Sequence, residues 1–217
     1  MHFEVLVEDL SGSIAVGHIL DKILGGNYTE HSWRMHPFKG KGQLPNNLHR
    51  APNLKNQQLL DNLPRLLQGF GKSLDDSSSV VVVVDLDDDN CLKLKQDLLN
   101  VLNACNPRPN TLFRIAIEES EAWLLGDRPA LTAAYPNARA SVLNNYVQDS
   151  ICGTWEILAD AVYPGGSAQL KQSFYQVAGQ AKSEWAEEIA PNLDIDANKS
   201  KSFQVFRDGV RNLAGIQ

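Results

Sequence analysis

Carboxylates recur in three short clusters, each after a run of apolar residues: Glu8 after Phe3–Val7, Asp85 and Asp87 after Val80–Val84, and Glu118, Glu119 and Glu121 after the segment that starts at Thr111. Carboxylate oxygens are hard ligands and suit Mg²⁺ or Mn²⁺. Side chains two apart in an extended segment point the same way, so Asp85 and Asp87 can present both carboxylates to one cation. Crowded like charges repel and call for a cation to offset them. A single acid after a strand has a plainer use as the cap of the following helix, and Asp88, Asp89 and Asn90 are placed to include such a cap. Three clusters at one sheet edge exceed what capping requires. The leading expectation is one metal site built from Glu8, Asp85, Asp87, Glu119 and Glu121.

A metal site that acts on phosphate also wants a base to neutralise it. From His31 to Lys55 the chain carries five Lys or Arg (Arg34, Lys39, Lys41, Arg50, Lys55) and no carboxylate, whereas Asp75 to Asp89 holds six Asp and no base. Lys39 and Lys41, around Gly40 and Gly42, are the first choice for contacting substrate, because glycine lets backbone approach a ligand closely. Lys199 and Lys201 are the second. They precede a segment in which Phe203, Phe206, Val210 and Leu213 are spaced for core burial on a helix. His31, His36 and His49 lack the spacing of metal ligands. Trp123, Trp155 and Trp185 read as buried helix anchors before they read as base-stacking platforms. Neither a serine-hydrolase elbow nor a glycine-rich nucleotide loop has its pattern here.

The elements that must position these side chains follow from periodicity. Phe3–Val7 reads as a buried strand, Ile14–Leu24 as a helix ended by Gly25-Gly26, and Thr29–Met35 as a second strand. A polar loop over Pro37–Asn53 leads to a helix over Gln57–Phe70 that contains Pro64. Val80–Val84 is five β-branched residues without alternation, the mark of a strand covered on both faces in a parallel sheet. Leu92–Cys105 predicts an amphipathic helix, Thr111–Ile117 a further strand, and the residues from Glu121 a further helix. Strand–helix alternation over 1–127 predicts an α/β core with a mainly parallel, Rossmann-like sheet flanked by helices. Residues 128–217 predict a mainly helical extension packed on it.

The chain has 217 residues and a net charge of −6. That balance argues against electrostatic coating of nucleic acid, but local charge decides for a nuclease. No apolar run nears the length of a membrane helix. The start, MHFEVLVEDL, lacks a basic segment and a cleavage site, so a signal peptide is not expected. Cys91, Cys105 and Cys152 are widely spaced and odd in number, which suits neither a disulfide framework nor zinc. A cytoplasmic protein is the expectation.

At Val7-Glu8-Asp9-Leu10-Ser11-Gly12 and Asp85-Leu86-Asp87 the sequence resembles the Toprim superfamily, in which a Glu follows the first strand and an Asp-x-Asp follows a later one. It is more closely similar to a family of small bacterial Toprim-like proteins described as a domain of unknown function. Four segments carry that similarity: Gly40-Lys41-Gly42 with Leu44; Glu119-Ser120-Glu121-Ala122-Trp123-Leu124-Leu125 with Asp127; Gly153-Thr154-Trp155-Glu156; and Asn198-Lys199-Ser200-Lys201-Ser202-Phe203 with Phe206. The resemblance implies a Toprim-like fold, metal-dependent phosphodiester chemistry like that of the overcoming-lysogenisation nuclease domain, and a role in phage defence beside an ABC-type P-loop ATPase. The chain departs from the pattern at Asp9, where a Gly is usual.

The expected mechanism has Asp85 and Asp87 holding Mg²⁺, joined by Glu119 or Glu121. Glu8 completes a second metal position or moves a proton. Lys41 neutralises the phosphate. Two rival readings stand beside it. One is a haloacid-dehalogenase-like phosphotransferase with Asp85 as nucleophile and Asp87 as its acid–base partner. The other is a non-catalytic module that binds a metal or a protein.

Overall fold

The computed structural model describes residues 1–45, 57–150 and 153–216. Its central strand is the valine run. β3 (Ser78–Asp85) is buried at every position. It pairs in parallel with β1 (His2–Val7) on one side and β4 (Thr111–Ala116) on the other. β2 (Ser32–Pro37) lies outside β1, which gives a four-stranded, all-parallel sheet in the order β2-β1-β3-β4.

The two faces of this sheet explain why the valines do not alternate with polar residues. Val81 and Val83, with Phe3, Val5 and Val7 of β1, pack under α1 (Leu10–Leu24). Val80, Val82 and Val84, with Leu6, pack against α2 (Leu59–Ser73) and α3 (Cys91–Asn103) on the other face. Each valine is thus needed by one core or the other. Each deeply buried leucine or valine contributes about 1.5–3 kcal/mol by leaving water.

The remaining elements are α4 (Glu121–Leu125), α5 (Arg128–Ala134), α6 (Ala140–Asn145), α7 (Thr154–Val162), α8 (Gly166–Gln172), α9 (Tyr175–Ile189), a 3-10 turn at Ala190–Asn192, and α10 (Lys201–Ala214). Residues of α9 and α10, among them Trp185, Ile189, Phe203, Phe206 and Val210, belong to the same apolar cluster as α1 and the sheet face beneath it. Asp127 caps α5 by accepting from the Ala130 N–H at 3.1 Å, and its other oxygen accepts from the Asp194 N–H at 2.7 Å. Trp123 is fully buried, with its ring centre 5.9 Å from that of Phe203 and 5.0 Å from that of Phe206. Its indole N–H donates to the Ser202 hydroxyl at 2.9 Å. The expectation that Trp123 and Trp185 are helix anchors is met, since both are buried.

Element bounds shift where side-chain chemistry overrides apolar spacing. α1 begins at Leu10, four residues before the first apolar-periodic position, because Asp9 caps it by accepting from the Gly12 N–H. β2 starts at Ser32 and not Thr29. The Asn27 side chain accepts from the Trp33 N–H and donates to the Trp33 carbonyl, holding the preceding residues in a turn. α2 continues through Pro64, held to the sheet by Leu59, Leu60, Leu63 and Leu67. Among the described residues no helix is long and apolar enough to cross a membrane. His49, Arg50, Lys55 and Cys152 lie outside the described residues.

Phe206→Ala removes a fully buried ring that touches Trp123. It is expected to cost about 3–5 kcal/mol in a chemical denaturation experiment, the usual range for emptying such a site. A loss under about 1 kcal/mol would show that α10 does not pack on this core.

Candidate active site

β1 and β3 are neighbours, yet the chain leaves β1 toward β2 on one side and returns through α2 to β3 on the other. Open α/β sheets bind ligands beyond the carboxyl ends of the strands at such a reversal. Glu8 follows β1 and Asp85 ends β3, so the topology brings these two acids together. A Glu8 carboxylate oxygen accepts from the Asp85 backbone N–H at 3.2 Å. Burial pushes the Glu8 carboxyl up to about 7. The nearby Asp87 and Asp9 charges add to that rise, while the Asp85 N–H and Lys41 oppose it. Asp85 is 9 % exposed. Burial first, and then the Glu8 and Glu121 carboxylates, hold it well above the usual carboxylate range.

The loop after β3 is fixed by backbone and by a lysine. The Leu86 N–H donates to the Ala116 carbonyl at 2.9 Å, and the Asp87 N–H to the Glu118 carbonyl at 3.2 Å. Asn90 caps α3 by accepting from the Lys93 N–H at 3.0 Å, so one of the expected caps is in place. The Lys41 ammonium donates to the Leu86 carbonyl at 2.9 Å and reaches Asp87 at 3.1 Å and Asp89 at 2.6 Å. Burial works against its charge, but the hydrogen bonds to Asp89 and Asp87 prevail and raise its pKa. The glycine-flanked loop that carries Lys41 is itself anchored. The Gly40 N–H donates to the Glu8 carbonyl at 2.9 Å, and the Lys41 carbonyl accepts from the Leu60 N–H at 2.8 Å. Gly42 is required at its place: its φ is +69°, and a Cβ there would stand 2.1 Å from an Asp61 oxygen.

The acids after β4 separate into three roles. Glu118, buried and at φ 68°, accepts from the Tyr146 hydroxyl at 3.1 Å, and burial raises it to about 7. One Glu119 oxygen accepts from the Thr154 hydroxyl at 3.0 Å and the Trp155 N–H at 2.9 Å, so it closes the first turn of α7. Burial, with Glu121 adding, raises its pKa. Glu121 is 3 % exposed. One of its oxygens meets the Lys182 ammonium at 2.9 Å, and the other is buried without a hydrogen-bond partner among the described residues.

Lys182, from α9, is the site residue that the sequence reading missed. Burial opposes its charge, but Glu121, Asp9 and Asp85 together hold its pKa well above that of an ordinary lysine. The signal was present. Ala178, Lys182, Ala186 and Ile189 recur at helical spacing on the inward side of α9, where a lysine needs a charged partner.

A cavity of about 790 Å³ opens beside these groups, lined in part by Glu8, Asp9, Lys39 and Lys182. Lys39 is exposed at its wall. Lys199 lines a different cavity with Arg128, Tyr146 and Gln148, and the Lys201 ammonium reaches Gln204 at 3.4 Å. The structure thus gathers Glu8, Asp85, Glu121 and Lys182. It sets Asp87 with Lys41 at the rim, turns one Glu119 oxygen to α7, and puts neither Lys199 nor Lys201 in the wall of the larger cavity. Among the described residues no three His, Cys, Asp or Glu side chains stand close enough together to hold a metal ion.

A family model described as a domain of unknown function, DUF4276, matches residues 7–211. No curated protein and no solved structure matches the chain.

Lys182→Met should leave Glu121 buried without its cation, at a cost of about 3–5 kcal/mol. Pairing it with Glu121→Gln should recover most of that loss. The four-way denaturation cycle reads the coupling directly, and additive effects would show that the two side chains do not form a pair.

Proposed function

The chain belongs to the DUF4276 family, and from its strand-end site we propose that it is a Toprim-like nuclease that hydrolyses nucleic-acid phosphodiester bonds with Mg²⁺ or Mn²⁺. One observation carries this reading. At the reversal of a parallel sheet, a half-buried Glu8 carboxylate accepts from the backbone N–H of the buried Asp85, and both carboxyls are pushed upward. Such an arrangement is costly for stability and is retained where charge is to be used.

The donor set fits a hard cation, because every candidate ligand is a carboxylate oxygen. The partnerless oxygen of Glu121 fits it as well, since a buried carboxylate oxygen without a donor is rare unless something is to bind there. Asp85, Glu8 and Glu121 would hold the ion by drawing closer together than they stand without it, with Asp87 and Glu119 as further carboxylates at the same edge. The ion would activate water and neutralise charge at the phosphoryl group. The chain supplies the rest. Glu8 would either complete the ion's ligand set or, outside it, move a proton between water and the leaving oxygen, a task its pKa of about 7 suits. Lys39 and Lys182 line the cavity and offer positive charge to phosphate. Lys41 fixes the loop after β3 by binding Asp87 and Asp89. That contact also weakens the phosphotransferase alternative, whose acid–base partner for Asp85 would be the Asp87 carboxylate. The resemblance noted in the sequence extends the proposal to a cytoplasmic phage-defence nuclease acting beside an ABC-type ATPase.

The purified full chain should cut DNA or RNA with added Mg²⁺ or Mn²⁺ and not with chelator. Asp85→Asn and Glu8→Gln should each lower the rate by about a hundredfold or more. Variants that cut as fast as the unaltered chain, or a full chain that cuts nothing with or without an ATPase partner, would sink the reading.

The divalent ion should also raise the melting temperature, and more at pH 8 than at pH 5.5. Glu8 loses its proton only as pH rises through about 7, and proton and cation compete for the same oxygens. An equal shift at both pH values would remove Glu8 from the ligand set.

A further inference from the structure

The larger cavity carries an aromatic and basic wall that the chemistry at Glu8 does not account for. Its lining includes Trp155 and Tyr175 with Lys39, Lys171 and Lys182, and it reaches Glu8 at the strand end. Trp155 is the least buried tryptophan of the chain, for Trp33, Trp123 and Trp185 are each at most 5 % exposed. The Lys171 ammonium lies 5.6 Å from the centre of the Trp155 ring and 3.1 Å from Glu156. Tyr175 is 89 % exposed and its neighbour Phe174 is 82 % exposed, both at the start of α9. Exposing two adjacent large aromatic rings in water gains the fold nothing.

Aromatic faces beside lysines match one polymer chemistry: flat bases that stack, joined by phosphates that need positive charge. Paired bases hide their faces inside the duplex, so stacking rings select strands whose bases are open. A cavity of about 790 Å³ is also the size of a small-ligand pocket, suited to a few nucleotide units and not to a duplex groove. We propose that this wall binds single-stranded nucleic acid, with Tyr175 and Trp155 stacking on unpaired bases and Lys39, Lys171 and Lys182 taking the phosphates, so that the backbone is led to Glu8. The proposal rests on the nuclease reading for its purpose, but its binding step can be measured without cleavage.

The test is a fluorescence titration of the full chain in chelator, with a short oligothymidylate and with a hairpin duplex of the same length. The single strand should bind at least about tenfold more tightly than the duplex, the effect of one base–aromatic stack or more. It should quench tryptophan emission, and the quench should vanish in Trp155→Phe. Tyr175→Ser alters an exposed side chain, so the variant should fold, and it should weaken single-strand binding about tenfold. Equal or tighter duplex binding, or a Tyr175→Ser variant with unchanged affinity, overturns the proposal. Tight single-strand binding with no metal-dependent cleavage leaves the binding wall standing and removes the nuclease reading. Metal-dependent cutting of duplex by a chain that does not favour single strands does the reverse.

Discussion

A buried carboxylate keeps its charge only beside a cation or strong donors, and the end of this sheet gathers several. Burial raises the proton affinity of Glu8 and Asp85, and the Glu8 and Glu121 carboxylates raise that of Asp85 further. Two lysines from distant parts of the chain, Lys41 before α2 and Lys182 in α9, hold the cluster together from its two sides in sequence. Each ammonium is itself placed against the pull of burial and is kept charged by the acids it serves. The fold around the site can be understood as the scaffold that delivers these two cations to one edge.

The sheet makes that delivery possible by being featureless elsewhere. Because α1 covers one face and α2 and α3 the other, the valines of β3 only fill space, and the strand meets polar demand at its last residue, Asp85. The chain then changes chemistry within a few residues. Leu86 and Asp87 are tied by backbone to Ala116 and Glu118, so the loops after β3 and β4 are held together. Positive φ at Asp87 and Glu118 marks where ordinary geometry gives way to that tie.

Much of this was legible from sequence, for identifiable reasons. The unbroken valine run announced a two-sided parallel strand, and acids after apolar runs announced the carboxyl edge of the sheet. Strand order was not legible, and strand order is what sets Glu8 and Asp85 at the reversal, while long-range hydrogen bonds turn Glu119 toward α7. Capping also escaped apolar patterning: Asp9 moves the start of α1 to Leu10. At Asp9 the sequence departs from the Gly usual in the family it resembles. The side chain there accepts from the Gly12 N–H and the Ser11 hydroxyl and adds to the negative field at Glu8, so the departure supplies both a helix cap and charge to the site.

Lys182 was the largest omission, and its position bears on how the molecule should be divided. Composition shifts after Asp127, which suggested an α/β core with a helical cover. Yet the cover supplies the cation for Glu121, the hydroxyl and N–H for Glu119 from Thr154 and Trp155, and the phenol for Glu118 from Tyr146. All three acids after β4 therefore take partners from residues beyond Asp127, with one Glu121 oxygen left over among the described residues. Without those partners, one short segment would carry three desolvated carboxylates against an apolar interior, a costly arrangement. The helical part is thus half of the site, and residues 1–127 alone would hold its acids without their partners.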